Sequence, residues 1–321
     1  MANETKLTEE QKTWATYVCT TLGGNTGLHL NEIRVSFRGP VPPAEKAQRE
    51  RRHALIVPRE HGAWGLLLVP MITGAGLAFR ESRNILPFVL LLTSALALFW
   101  LRTPFESLLG TSPMRAQTKD ERRTVIFSIA ILASIAALGL GTLLWAGRNA
   151  SLWWIGAAAG AAFAGQALLK KFGRRTRMLS QIVGTIGLTA SAPAAYYVVT
   201  GKFDVTAWTL WIVNLVFAGN QIHYVQLRLH TARVEGFRSR LARGWAFAAG
   251  QLLLTAGLTV ACVGGLLPQF ASLAFAPLLF RGWFYFIQRP APLVVRKLGW
   301  SELAQAVAFC VLLVVTFSIP N

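Results

Sequence analysis

Acidic side chains are scarce in this chain. Only 14 Asp and Glu stand against 32 Lys and Arg, and the charged residues together make up 14% of 321. A soluble globular domain carries roughly 25%, so a water-facing surface of ordinary polarity cannot be built from this composition. The acids beyond the N-terminal 50 residues are Glu60, Glu81, Glu106, Asp120, Glu121, Asp204, Glu235 and Glu302. They do not form the close carboxylate groups that hold Mg²⁺ across phosphates. Cysteine is limited to Cys19, Cys262 and Cys310, without a CxxC, and these are expected to be inert thiols rather than a disulfide or zinc framework. His223 and His230 are seven residues apart and no HExxH occurs, so neither a metal nor another cofactor is expected. The opening MANETKLTEEQK has no apolar core, which excludes a signal peptide there.

Long apolar runs are what the chain has instead, with 53% hydrophobic residues. Nine blocks stand out, at roughly 60–79, 85–101, 124–146, 152–169, 179–200, 207–227, 244–267, 270–287 and 300–318. Crossing a hydrocarbon core of about 30 Å takes about 20 apolar residues as a helix, because lipid offers the backbone no hydrogen bonds. The expected fold is therefore all-α, a polytopic transmembrane helical bundle of about nine spans. Leu267-Pro268-Gln269 separates the seventh and eighth, where proline suits a tight turn better than one continuous helix.

The net charge of +18 raises nucleic acid as a partner, and the placement of the cations argues against it. Arg49, Arg51, Arg52 and Arg59 precede the first span. Arg102, Arg115, Lys119, Arg122 and Arg123 follow the second. Lys170, Lys171, Arg174, Arg175 and Arg177 follow the fourth, Arg228, Arg233, Arg238, Arg240 and Arg243 the sixth, and Arg289, Arg296 and Lys297 the eighth. The alternate loops hold only Arg80, Arg83, Arg148 and Lys202. Because short cytoplasmic loops collect Lys and Arg, this alternation puts the N-terminus inside and the C-terminus outside. No basic stripe interleaved with aromatics marks a nucleic-acid surface.

Residues 1–50 read as a separate cytoplasmic tail, expected to be disordered in isolation, with LHLNEIRVSF as a weak strand candidate and Pro40, Pro42 and Pro43 closing it. Residues 51–321 form the membrane domain. Within it, Gly156 to Gly160 and the pair Gly184 and Gly187 let helices approach closely.

Polar groups inside spans are costly and so carry information. Pro58-Arg59-Glu60-His61 stand at the start of the first span. The sixth carries Asn214, Asn220, Gln221, His223, Tyr224 and Gln226, and the spacing of Asn220, His223 and Tyr224 gives them one helical face. Gln166, Gln181, Gln251 and Gln288 are single amides, and Glu302 and Gln305 lie in the ninth span. Two readings stand side by side for Asn220 and His223, a ligand cavity or interhelical glue. For the single glutamines, glue is the simpler reading.

The string PREHGAWGLLLVP, residues 58–70, resembles the opening signature of the YwiC-like family of bacterial membrane proteins. That resemblance implies a polytopic protein of the bacterial inner membrane and brings no activity to the chain. A more distant similarity is to the UbiA class of membrane prenyltransferases. KKFGRRTRMLSQIVGTIGLTASAPAAYYVVTG is similar to that class's Lys-Arg-Thr loop and glycine-rich fifth span, through Lys171, Arg174, Arg175, Thr176 and Gln181. The class holds Mg²⁺ and a prenyl diphosphate with two aspartate-rich motifs. Here Arg102-Thr103-Pro104-Phe105-Glu106 and Asn220-Gln221-Ile222-His223-Tyr224 occupy those places, so a shared scaffold is implied without the metal chemistry.

The resulting expectation is a UbiA-like bundle with a cavity open to the cytoplasmic leaflet, for an isoprenoid or other amphipathic ligand with an anionic head. Glu60, His61, Gln181, Asn220 and His223 would line its mouth. Arg102, Arg174, Arg175 and Arg228 would face the head group, since arginine forks onto phosphate oxygens without a metal. The competing reading of these arginines is orientation and contact with lipid head groups. Alternatives for the whole protein are a small-solute transporter or permease component, or a non-catalytic membrane assembly factor.

Overall fold

The computed structural model describes residues 44–58, 61–110, 114–148, 150–172, 176–232, 234, 236–288 and 293–319. Among them there is no strand. The helices are α1 (Ala44–Ile56), α2 (His61–Ala78), α3 (Leu86–Leu109), α4 (Lys119–Trp145), α5 (Ala150–Lys171), α6 (Arg177–Thr189), α7 (Ser191–Thr200), α8 (Val205–His230), α9 (Phe237–Arg243), α10 (Trp245–Val263), α11 (Ala276–Ile287) and α12 (Val295–Thr316). A 3₁₀ stretch, Gln269–Phe275, leads into α11. The strand candidate at residues 28–37 lies outside the described residues, and α1 begins within the segment read as a tail.

Seven helical segments are long and apolar enough to cross a membrane: Leu86–Leu109, Lys119–Trp145, Ser151–Leu169, Met178–Thr200, Trp245–Val263, Gln269–Ile287 and Arg296–Thr316. The first and sixth of the nine expected blocks are also helical but fall outside that set. The apolar part of α2 is short, Trp64–Ala78. Helix α8 has the length but is loaded with Asn214, Asn220, Gln221, His223, Gln226 and Arg228. Large apolar side chains point outward, among them Leu138 on α4, Trp153 and Trp154 on α5, and Leu253 and Val263 on α10. Water would penalise such a surface and lipid does not. The chain is an integral membrane protein.

The chain divides into two compact units. In the first, formed by residues up to Arg59 and Thr93–Gly139, α1 packs Ala54 and Leu55 on Met114 and Val125. The Arg51 Nε donates to Glu121 Oε1 at 2.7 Å. Glu121 Oε2 accepts from the Thr118 amide while Thr118 Oγ1 accepts from the Glu121 amide. This reciprocal capping box starts α4. The carbonyls ending α1 are taken up by Trp100 Nε1 on Ile56 (2.9 Å) and Ser107 Oγ on Leu55 (3.3 Å).

In the second unit, Glu60–Leu92 and Leu140–Asn321, α6 and α7 form the axis, and Ser191 to Val199 are all buried. The axis breaks at Ala190 because Pro193, in the first turn of α7, has no amide for the carbonyl of Thr189. Helix α2 lies against α7 so closely that a Cβ on Gly74 would stand 2.1 Å from the Ala192 carbonyl oxygen. Ser191 Oγ donates to the Leu67 carbonyl at 3.0 Å across the same contact. Asn214 Nδ2 joins α8 to Thr73 Oγ1 of α2 at 3.0 Å. Phe217 and Phe309 stack at 3.9 Å between α8 and α12. Asp204 caps α8, with its Oδ1 accepting from the amides of Thr206 and Ala207.

Candidate functional site

Helices α8, α10, α11 and α12 bring an unusual set of polar side chains together in the second unit. Arg228 and Tyr224 are i,i+4 neighbours on α8, and Arg281 and Tyr285 are so on α11. The two pairs interleave. The Arg281 guanidinium lies 3.9 Å from the centre of the Tyr224 ring, and that of Arg228 lies 5.1 Å from Tyr285. The two tyrosine rings meet edge to face at 5.9 Å. Each cation–π contact contributes about 0.5–2 kcal/mol, more as water is excluded.

Glu302 of α12 answers one arginine only in part. Arg281 Nη1 donates to Glu302 Oε1, and the side chains retain 10% and 15% of their exposure. The contact is end-on. Arg281 Nε and Nη2, Glu302 Oε2, Arg228 Nε and Gln305 Oε1 are all buried with no hydrogen-bond partner. Nε–H and one Nη2–H of a guanidinium point the same way and form the fork that fits two oxygens of a carboxylate or phosphate. In Arg281 that whole fork is free. Leaving such groups unsatisfied costs about 1–3 kcal/mol each, more when charged, so the arrangement is arginine-rich, buried and incompletely paired within the protein.

Neighbouring groups hold it rigid. Gln221 Nε2 donates to the Glu302 backbone carbonyl at 2.9 Å, fixing α12 against α8. Arg240 of α9 donates through Nη1 to the carbonyls of Tyr285 and Gln288, capping α11 with a cation as its dipole favours. The hydroxyls of Thr231 and Tyr285 are hydrogen-bonded. Gln251 of α10 is fully buried; its Nε2 donates to Asn220 Oδ1 at 3.2 Å. A Cβ on Gly282 would stand 2.8 Å from that Nε2, so the glycine is the hollow into which the amide fits.

The residues expected at the site are distributed as follows. Asn220 bonds Gln251. His223 sets its ring edge to face against Phe247 at 5.2 Å. Arg228 joins the tyrosine ladder. Gln181 Oε1 accepts from Gln226 Nε2 at 3.2 Å, which couples α6 to α8. Arg102 belongs to the first unit, where its Nε donates to Glu106 Oε1 at 3.0 Å. Glu60, Arg174 and Arg175 lie outside the described residues, as does the side chain of His61, which opens α2.

One residue escapes a reading based on loops and isolated amides. Arg281 is a lone cation in the middle of the eighth apolar block, and its signal is the lone anion Glu302 in the next. Gln251, the simplest case for glue, proves to be the partner of Asn220. Among the described residues, no three His, Cys, Asp or Glu side chains gather as a metal site would require.

At the other end of the second unit, Lys202 Nζ donates to Glu81 Oε2 at 2.7 Å and the Tyr196 hydroxyl to Glu81 Oε1 at 2.8 Å. The hydrogen bond from Lys202, then that from Tyr196, holds the Glu81 carboxyl below its ordinary range. Arg80 ties this end to the carbonyls of Phe317 and Ser318. These contacts close the bundle and leave the arginine fork at the opposite end, where α8 and α11 finish and α12 begins.

Residues 57–196 match the family model of YwiC-like proteins. The YwiC-like segment holds α2 to α6 and runs into the buried α7, so it covers the axis of the second unit together with Gln181. Asn220, Arg228, Arg281 and Glu302 lie C-terminal to the YwiC-like segment. No curated protein and no solved structure is matched by the chain.

Proposed function

We propose that the protein binds an amphipathic ligand with an anionic head, an isoprenoid phosphate or a membrane lipid. The head would sit at the arginine fork and the tail between α8, α11 and α12. The carrying observation is the buried free fork of Arg281 beside the free Nε of Arg228. Arg228 and Arg281 against Glu302 leave one positive charge in excess, which an anion neutralises. In this reading the chain crosses a bacterial inner membrane nine times as a UbiA-like bundle, with its N-terminus and the fork on the cytoplasmic side. Arginine takes the place of a metal at the head group, so chelators leave binding unchanged. In this reading Asn220, His223, Gln181, Glu60 and His61 would line the same mouth, and Arg174 and Arg175 would face the head group.

Native mass spectrometry of the protein in mild detergent tests this reading. The wild type retains an anionic amphiphile, and Arg228→Met retains it roughly tenfold less, the effect of losing one charge-assisted hydrogen bond of about 1.5 kcal/mol or more. A wild type that carries no anionic amphiphile, or an Arg228→Met variant that carries as much, overturns it.

The break at Ala190 and the 3₁₀ entry into α11 favour a second reading, a permease whose interrupted helices line a path. Solute uptake into proteoliposomes that is lost in Arg281→Met would support that function instead.

A further inference from the structure

The unsatisfied atoms are of both kinds, and this defines the ligand more narrowly. Arg228 Nε, Arg281 Nε and Arg281 Nη2 are donors without acceptors; Glu302 Oε2 and Gln305 Oε1 are acceptors without donors. Glu302 and Gln305 are i,i+3 neighbours on α12, so the two acceptors share one face of that helix. The ion pair links that face to the guanidinium fork, and Arg228 joins the same cluster through the Tyr285 and Tyr224 rings. An acceptor-only anion would satisfy the fork while leaving both oxygens bare and repelled by its charge. The Arg281 guanidinium carbon is held 3.9 Å from the centre of the Tyr224 ring, and Gln221 ties the backbone of Glu302 to α8, which favours this arrangement of the two charges.

We infer that the head group is an oxyanion that also carries a hydroxyl donor: a phosphate monoester, or a phosphate bearing a hydroxylated substituent such as glycerol. Its oxygens would take the arginine fork, and its hydroxyl would donate to Glu302 Oε2 or Gln305 Oε1. This rests on the anion-binding reading above and narrows it.

The experiment compares two lipids of equal charge, phosphatidylglycerol and phosphatidylmethanol, exchanged into the full-length protein in nanodiscs and counted by native mass spectrometry. The second has the same phosphodiester anion without a hydroxyl. Phosphatidylglycerol is expected to be retained roughly tenfold better, the discrimination expected when a buried acceptor loses its donor. Gln305→Leu, checked for unchanged thermal stability, should reduce that preference to about twofold or less. Inorganic phosphate is added as a competitor. Displacement of the lipid at millimolar concentration assigns the same chemistry to a free phosphate; no displacement assigns it to a lipid head. Retention of neither lipid overturns the anion-binding reading itself. Equal retention of both overturns only the requirement for a hydroxyl, as does a Gln305→Leu variant that keeps the full preference.

Discussion

Gly74 shows how a single hydrogen atom sets the spacing of two helices. A methyl group there would meet the Ala192 carbonyl oxygen at 2.1 Å, and a backbone atom cannot swing aside as a side chain does. Gly74→Ala should therefore lower the stability of the purified protein by at least about 1–3 kcal/mol, the usual cost of overpacking. Gly257 on α10 has nothing within 4 Å of the equivalent position, so Gly257→Ala should leave the thermal midpoint unchanged or raise it. Equal midpoints for the two variants would show that α2 and α7 do not approach so closely. A chain of this composition makes small residues in spans predictable as a class. Which glycine stands at the contact was not legible, because that depends on which face of α2 turns toward α7.

At the scale of helices, the pairing of Asn220 with Gln251 joins α8 to α10. Both amides could be read from the sequence as polar groups in apolar blocks, but their partnership could not, since they are 31 residues apart. Replacing Asn220 by Ala strands the buried Gln251 amide, a loss of about 1–3 kcal/mol. Gln251→Leu removes the whole polar group and, with Gly282 beneath it, should cost less. A double-mutant cycle in detergent should give a coupling near the 0.6 kcal/mol average for interhelical hydrogen bonds in membranes, and no more than about 1.7. Strictly additive single variants would mean the two amides do not interact. The interleaved arginines and tyrosines of α8 and α11 follow the same logic. Their i,i+4 spacing is visible in each segment alone, whereas the interlock exists only once the segments are side by side.

For the whole molecule, the arrangement of basic loops makes the membrane orientation testable. With Cys19, Cys262 and Cys310 replaced by serine, a cysteine introduced at Thr118 or Thr176 should stay unlabelled by an impermeant thiol reagent on intact cells, while one at Lys202 is labelled. Labelling at Thr118 and Thr176 with protection at Lys202 would invert the protein and put the arginine fork on the outer side.

Composition and block length were enough to establish a helical membrane protein. They act through free energies that need no neighbours: the cost of unbonded backbone in lipid and of charge away from water. The break at Ala190 is a local effect too, set by Pro193 in the first turn of α7. What only the tertiary structure decided is which polar groups are satisfied. Nothing in the linear order says that Lys202 closes on Glu81, that Gln251 serves Asn220, or that Glu302 takes one edge of Arg281 and leaves the other free. Hydrogen bonds between spans are set by the depth and rotation of each helix, and packing fixes those quantities together for the bundle.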